Sequence, residues 1–164
     1  FLIGLTSCED TTVSDAEKIA VAEKECSQKT SIDGLYLNFY GYFLVDADSL
    51  IIKIKRGDSI CDSYTDKIPT DVHDSIRHLR EYQIKRTILL SDTIILKIKS
   101  EPEKKVYGFK YIVNPNFNMF DKRWGCDFYE CIVDGKLCEG GVANIKKTNW
   151  NLIDPKDFKN YYYK

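Results

Sequence analysis

Cys126-Asp127-Phe128-Tyr129-Glu130-Cys131-Ile132-Val133-Asp134-Gly135-Lys136-Leu137-Cys138 sets an Asp-Gly pair between two strand-forming runs, which is the strongest short-range signal for a β-hairpin. With Asp134 and Gly135 at the tip, Val133 faces Lys136, Ile132 faces Leu137 and Cys131 faces Cys138. A two-residue loop makes Cys131 and Cys138 a hydrogen-bonded pair with Cα atoms about 5.5 Å apart, within disulfide range though less convenient than the closer pair type. A Cys131–Cys138 disulfide is the pairing this geometry favours. Cys126 precedes Cys131 by an odd number of residues and points to the opposite face, so its partner would be Cys26 or Cys61. The same cysteines lack the close C-x2-C pairs and histidine spacing of a zinc site, and no metal or other cofactor is expected.

Outward from this hairpin, alternation of apolar and polar residues continues. Leu50, Ile52 and Ile54 alternate with Ile51, Lys53 and Lys55, and the aromatic run Leu35–Val45 before them predicts the first arm of a hairpin closed by a turn at Asp46–Ser49. Ile84–Leu90 and Thr93–Lys99 predict a second strand pair around Ser91-Asp92, Val106–Val113 a further strand, and Val142–Lys147 another after Gly140-Gly141. The segment Asp48–Lys55 closely matches Asp92–Lys99 in sequence. Alternating Ile and Lys is what any half-buried strand looks like, and two copies fall short of the three that repeat arrays need.

Helical spacing shows in three places. Ser14 and Glu17 form a capping box ahead of Ile19, Ala22 and Cys26, predicting a helix over about 14–26. Pro69, followed by Val72, Ile76 and Leu79 at i, i+4 and i+7, predicts a second over 70–82. Asp154-Pro155 is a plausible opening for a short third. These elements predict an α+β fold, a mainly antiparallel β-sheet built from hairpins with two or three short helices packed on it.

The polar residues Asp71, His73, Asp74, Arg77, His78, Arg80 and Glu81 gather in the second of these segments. Helical spacing spreads them over a solvated face with i, i+4 pairing and not around one reacting centre. No nucleophile elbow, zincin, phosphate-loop or dinucleotide motif occurs in the chain, so no catalytic residue is assigned and an enzyme is not expected.

Near the N-terminus, the apolar run Phe1-Leu2-Ile3-Gly4 leads into Leu5-Thr6-Ser7-Cys8. These residues resemble the lipobox of bacterial lipoproteins, in which small residues before the cysteine admit a signal peptidase and the thiol carries a diacylglycerol. The resemblance covers only the first ten or so residues, and the initiator Met and charged leader of the full pattern are missing. It implies that residues 1–7 are the remainder of a signal peptide, that Cys8 is lipidated, that residues 8–13 are a tether, and that 14–164 form a single globular domain. It also implies a bacterial cell-envelope address, anchored to the inner or outer membrane with the domain in the periplasm or at the cell surface. Without the motif, Phe1–Leu5 reads as a short buried strand. No stretch approaches the roughly 20 apolar residues of a spanning helix.

Composition agrees with that address. Six cysteines in 164 residues are natural in an oxidising compartment. A formal net charge of −1 gives no electrostatic case for nucleic acid. The richest functional signal is aromatic: 11 Tyr, 8 Phe and 2 Trp. Tyr36, Tyr40 and Tyr42 share one strand face if Leu35, Leu37, Phe39 and Phe43 take the other. With Trp124 and Trp150, which fall in less regular segments, they are the binding candidates, since Tyr and Trp combine an apolar ring with a polar tip. The expected function is a lipid-anchored envelope binding protein, of inhibitor or immunity type, acting by surface occlusion on a protein partner, with glycan as a further partner class. Two other readings remain at this point, an accessory lipoprotein of a multi-protein envelope assembly and an envelope hydrolase.

Overall fold

The computed structural model describes residues 13–42, 49–70, 79–99, 101–117 and 122–148. Among them are one helix, α1 (Asp15–Gln28), and nine strands: β1 (Ser31–Tyr40), β2 (Leu50–Arg56), β3 (Ser59–Asp66), β4 (Leu79–Leu89), β5 (Thr93–Ile98), β6 (Lys104–Phe117), β7 (Lys122–Val133), β8 (Lys136–Cys138) and β9 (Val142–Lys146). The strands make two sheets, β4-β1-β9 and β3-β2-β5-β6-β7-β8. Every pairing is antiparallel except that of β1 with β9. The fold is therefore β-rich, and the expected α+β arrangement with two or three helices is corrected.

One core joins both sheets. Leu35, Leu37 and Phe39 of β1, Ile84 and Ile88 of β4 and Ile145 of β9 pack in one buried cluster with Leu50, Ile52, Ile54, Ile94, Leu96 and Ile98 from the larger sheet. The matching segments of sequence turn out to be neighbours. β2 and β5 pair antiparallel with Leu50 opposite Ile98, Ile52 opposite Leu96 and Ile54 opposite Ile94. All six are buried, so the Ile/Lys alternation of each strand supplies one half of a single apolar stripe.

Two expected hairpins are not made. β1 pairs with β4 and β9 and not with β2, whose neighbours are β3 and β5. β4 and β5 lie in different sheets, so Ser91-Asp92 is a corner where the chain changes layer. Alternation says which residues face the core, yet both sheets offer the same core, and nothing in the pattern names a strand's neighbour. The helix expected over 70–82 is also corrected from Leu79 onward, where β4 begins. Residues 71–78 lie outside the described residues, as does the helix expected at Asp154. Tyr82, Ile84, Thr87 and Ile88 are β-forming residues, and a strand partner across β1 outweighs the local helical spacing.

The corner is held by a buried carboxylate. Asp92, 1% exposed, accepts the Leu89 N–H at 2.9 Å, and its own N–H donates to the Leu89 carbonyl at 2.9 Å. Arg56, at the end of β2, donates to it twice, Nε to Oδ1 at 2.9 Å and Nη2 to Oδ2 at 3.0 Å. The Arg56 hydrogen bonds hold the Asp92 carboxyl below the usual carboxylate range, against the opposing effect of burial. A depressed folded-state pKa contributes stability that is complete above the unfolded value and is lost as pH falls through the folded one. Asp92→Asn is expected to destabilise the protein by about 1.5–3 kcal/mol, the range for hydrogen bonds to charged groups. It should also flatten the loss of stability below about pH 4, the unfolded carboxyl range. Urea unfolding of both proteins at neutral pH and through the acid limb checks both effects.

The Asp134-Gly135 hairpin forms in the expected register, with Cys131 opposite Cys138, Ile132 opposite Leu137 and Val133 opposite Lys136. Asp134 (φ +48°) and Gly135 (φ +82°) both take the positive φ of a type I′ turn. Cys131 and Cys138 remain thiols, both buried. The disulfide that is made joins Cys26 on α1 to Cys126 on β7, with Cα atoms 5.3 Å apart. It holds the helix against β6 and β7, where Lys29 lies over the Tyr111 ring at 5.7 Å. The capping box is in place at the other end, with the Glu17 N–H donating to Ser14 Oγ at 3.3 Å and the Ser14 N–H to Glu17 Oε2 at 2.9 Å. After β8, the Gly141 N–H donates to the Tyr129 carbonyl at 2.9 Å as the chain leaves the larger sheet to become β9. Only glycine suits that position: φ is +72°, and a Cβ would sit 2.8 Å from the Phe128 carbonyl oxygen.

Candidate functional site

β3 and β4 are each the outer strand of their sheet. A groove of about 520 Å³ opens beside them, lined by Tyr64, Asp66, Pro69, Glu81, Tyr82, Gln83, Lys85 and Arg86. Consecutive residues of β4 take part, so the strand's edge, and not merely one face, forms a wall. From β3 only the alternate residues Tyr64 and Asp66 reach it, as expected of one strand face.

Side chains tie the two strands across this groove. Tyr82 donates its hydroxyl to Asp66 Oδ2 at 2.7 Å. Arg86 stands 5.1 Å over the Tyr64 ring and donates from Nε to Asp62 Oδ2 at 3.3 Å. Burial, reinforced for Tyr82 by the Asp66 carboxylate, raises the pKa of both tyrosines above the ordinary phenol value. Both are therefore hydrogen-bonding phenols at neutral pH, not phenolates. The wall behind them is set by Arg80, which is 3% exposed. Its guanidinium donates from Nε to the Tyr42 carbonyl at 2.9 Å and from Nη1 to the Pro69 and Thr70 carbonyls at 2.8 and 2.6 Å. One buried cation thus gathers the end of β1 and the segment after β3 at the groove.

The outer face of the smaller sheet adjoins this groove. Along β1, Tyr36 sits between Gln83 and Val142, Asn38 between Glu81 and Asn144, and Tyr40 between Leu79 and Lys146. Asn144 Oδ1 accepts from Asn38 Nδ2 at 3.4 Å and from the Tyr40 hydroxyl at 3.3 Å. Tyr36 is 53% exposed. Glu81 and Gln83 belong to both features, so the surface runs without a break from Tyr36 over β4 to Tyr82 and Tyr64.

The aromatic residues singled out in the sequence are not brought together. Tyr36 is displayed and Tyr40 half-buried on the same face. Tyr42 is instead a core residue, fully buried and edge-on to Phe39 with ring centroids 5.6 Å apart. β1 ends at Tyr40, and Gly41, with φ +79°, turns the chain so that the alternation no longer applies. Trp124 lies within β7, half-buried opposite Pro115, and not in an irregular segment. Cys8 and Trp150 are outside the described residues, as are Asp71, His73, Asp74, Arg77 and His78. Cys61 is an exposed thiol on β3.

Tyr64, Asp66, Pro69, Gln83, Lys85 and Arg86 were not legible as a site in the sequence. Gly57-Asp58, between Leu50–Arg56 and β3, is the turn signal in the sequence that marks β3. Among the described residues no cluster of three metal-ligating side chains occurs, and no helix is long and apolar enough to cross a membrane. Comparison of the chain with protein-family models, with curated proteins and with solved structures gives no match.

Proposed function

We propose that this protein is a lipid-anchored component of a bacterial cell envelope, attached through Cys8, that binds a protein partner and acts by covering part of its surface. The observation that carries the reading is the continuity of Tyr36, Gln83, Tyr82, Tyr64 and Arg86 around one strand, β4. Tyr and Arg are the residue types that concentrate binding energy in protein interfaces. The Asn38, Tyr40 and Asn144 side chains beside them fix one another, so little side-chain freedom is lost on contact. The address rests on the lipobox resemblance, and the Cys26–Cys126 disulfide accords with an oxidising compartment.

The test is a quantitative capture from native membranes using wild-type protein and two surface variants, Tyr36→Ala and Arg86→Ala. An occluding binder retains one stoichiometric partner, and each variant weakens that complex by about 10-fold or more, the effect of losing an interface anchor. Recovery of several membrane proteins, undiminished in both variants, would point instead to an accessory lipoprotein of a larger assembly. Partner binding that ignores both substitutions removes β4 from the account.

A further inference from the structure

We propose that Cys131 and Cys138 form a reversible dithiol–disulfide pair that staples the last strand of the larger sheet, whatever the groove binds. The two residues are in direct cross-strand register between β7 and β8. They are 1% and 7% exposed, and burial, reinforced by Cys138 beside it, pushes the Cys131 thiol up to about 12. In this state the pair is inert, because the thiolate is the reacting species and burial suppresses it.

The position supplies the way in. β8 is three residues long and ends the sheet order, so Cys138 is on the strand most easily lifted from its neighbour. Gly140 and Gly141 follow it, both at positive φ. Once β8 opens, the Cys138 thiolate can attack an external disulfide, either a small molecule or a protein oxidant, forming a mixed disulfide and expelling one thiol. The Cys131 thiolate then attacks the Cys138 sulfur and expels the second. The protein loses two protons and two electrons and gains one S–S bond, while the external disulfide becomes two thiols.

A hydrogen-bonded cross-strand pair is the less convenient site for a disulfide, and bonds held in such geometry are the labile ones. The result is a bond that an oxidising glutathione buffer makes and a reducing one removes. Its effect falls on the passage from β8 into β9, which pairs with β1 beside Tyr36.

The experiment uses the full chain carrying Cys8→Ser and Cys61→Ser, with Cys26–Cys126 intact. The protein is equilibrated in glutathione buffers from reducing to oxidising, quenched in acid, denatured, alkylated and weighed. The expected result is two alkyl groups at the reducing end. At the oxidising end there should be none, with a mass lower by two hydrogens and a peptide map linking Cys131 to Cys138. In a second variant, which adds Cys131→Ser to these two changes, Cys138 should retain one glutathione. Two alkylatable thiols throughout the oxidising range, or glutathione held on both cysteines of the first protein, would overturn the proposal. Failure of Cys138 to take glutathione in the second variant would overturn the order of attack and, with it, the opening of β8.

Discussion

Replacing Arg80 with alanine is expected to lower the unfolding free energy by about 3–5 kcal/mol, since three hydrogen bonds from a buried charged group, each worth about 1.5–3 kcal/mol, are lost together. The physical reason is the company the side chain keeps. Its Nε and Nη1 serve the Tyr42, Pro69 and Thr70 carbonyls, and of these the carbonyl of the fully buried Tyr42 is the one whose loss of a donor costs most, about 1–3 kcal/mol. Lysine at the same position retains the charge but not the planar fork and should recover only part of the loss. Because Pro69 lines the groove, the same change should also reshape the site. Equilibrium urea denaturation of Arg80→Ala, Arg80→Lys and wild type checks the order. A loss under about 1 kcal/mol would mean that water reaches those carbonyls.

The double change Cys26→Ser, Cys126→Ser is the second large effect. The bond joins residues 100 apart in sequence, and closing a loop of that length restricts the unfolded chain by an amount worth about 4–5 kcal/mol. The helix it holds has little else to keep it in place: among the described residues of α1 only Ala22 is fully buried, and a helix of this length is marginal alone. Wild-type protein treated with reductant should fall to the stability of the reduced double variant, and the double variant should respond to reductant far less. If reductant leaves the wild type unchanged, or lowers both proteins alike, the stabilisation lies elsewhere.

Much of the fold was legible because alternation of apolar and polar residues is a physical consequence of a sheet with one buried face. Leu50, Ile52 and Ile54 are buried as their spacing required, Asp134-Gly135 set the register of Cys131 and Cys138, and Ser14 with Glu17 marked the start of α1. The choice of neighbour was not legible. β4 and β5 meet at Asp92 with equally apolar inner faces, and the bidentate Arg56 contact that holds this turn as a corner comes from β2, distant in sequence. Tyr42 was misplaced because Gly41 ends the alternation, and a glycine inside a strand pattern is the kind of signal that marks such a bend. Arg80 was misplaced for another reason. Arginine is rarely inside, and the carbonyls that make its burial tolerable come from Tyr42, Pro69 and Thr70, far from it in sequence.

The groove was hidden for the same reason as the sheet order. Tyr64 and Asp66 come from one sheet and Tyr82 and Arg86 from the other, so no local pattern joins them. What the sequence did offer was Tyr36, which the structure leaves displayed at the margin of that groove.

The proposed address and the disulfide can be read together from the intact mass of the full-length product taken from its native membrane, alkylated with and without prior reduction. The account predicts a chain beginning at Cys8 and carrying acyl groups, with Cys26 and Cys126 protected from alkylation until reductant is added. An unacylated chain that still holds residues 1–7 and reacts at every cysteine without reductant would contradict it, removing the envelope from the account and returning Phe1–Leu5 to the fold.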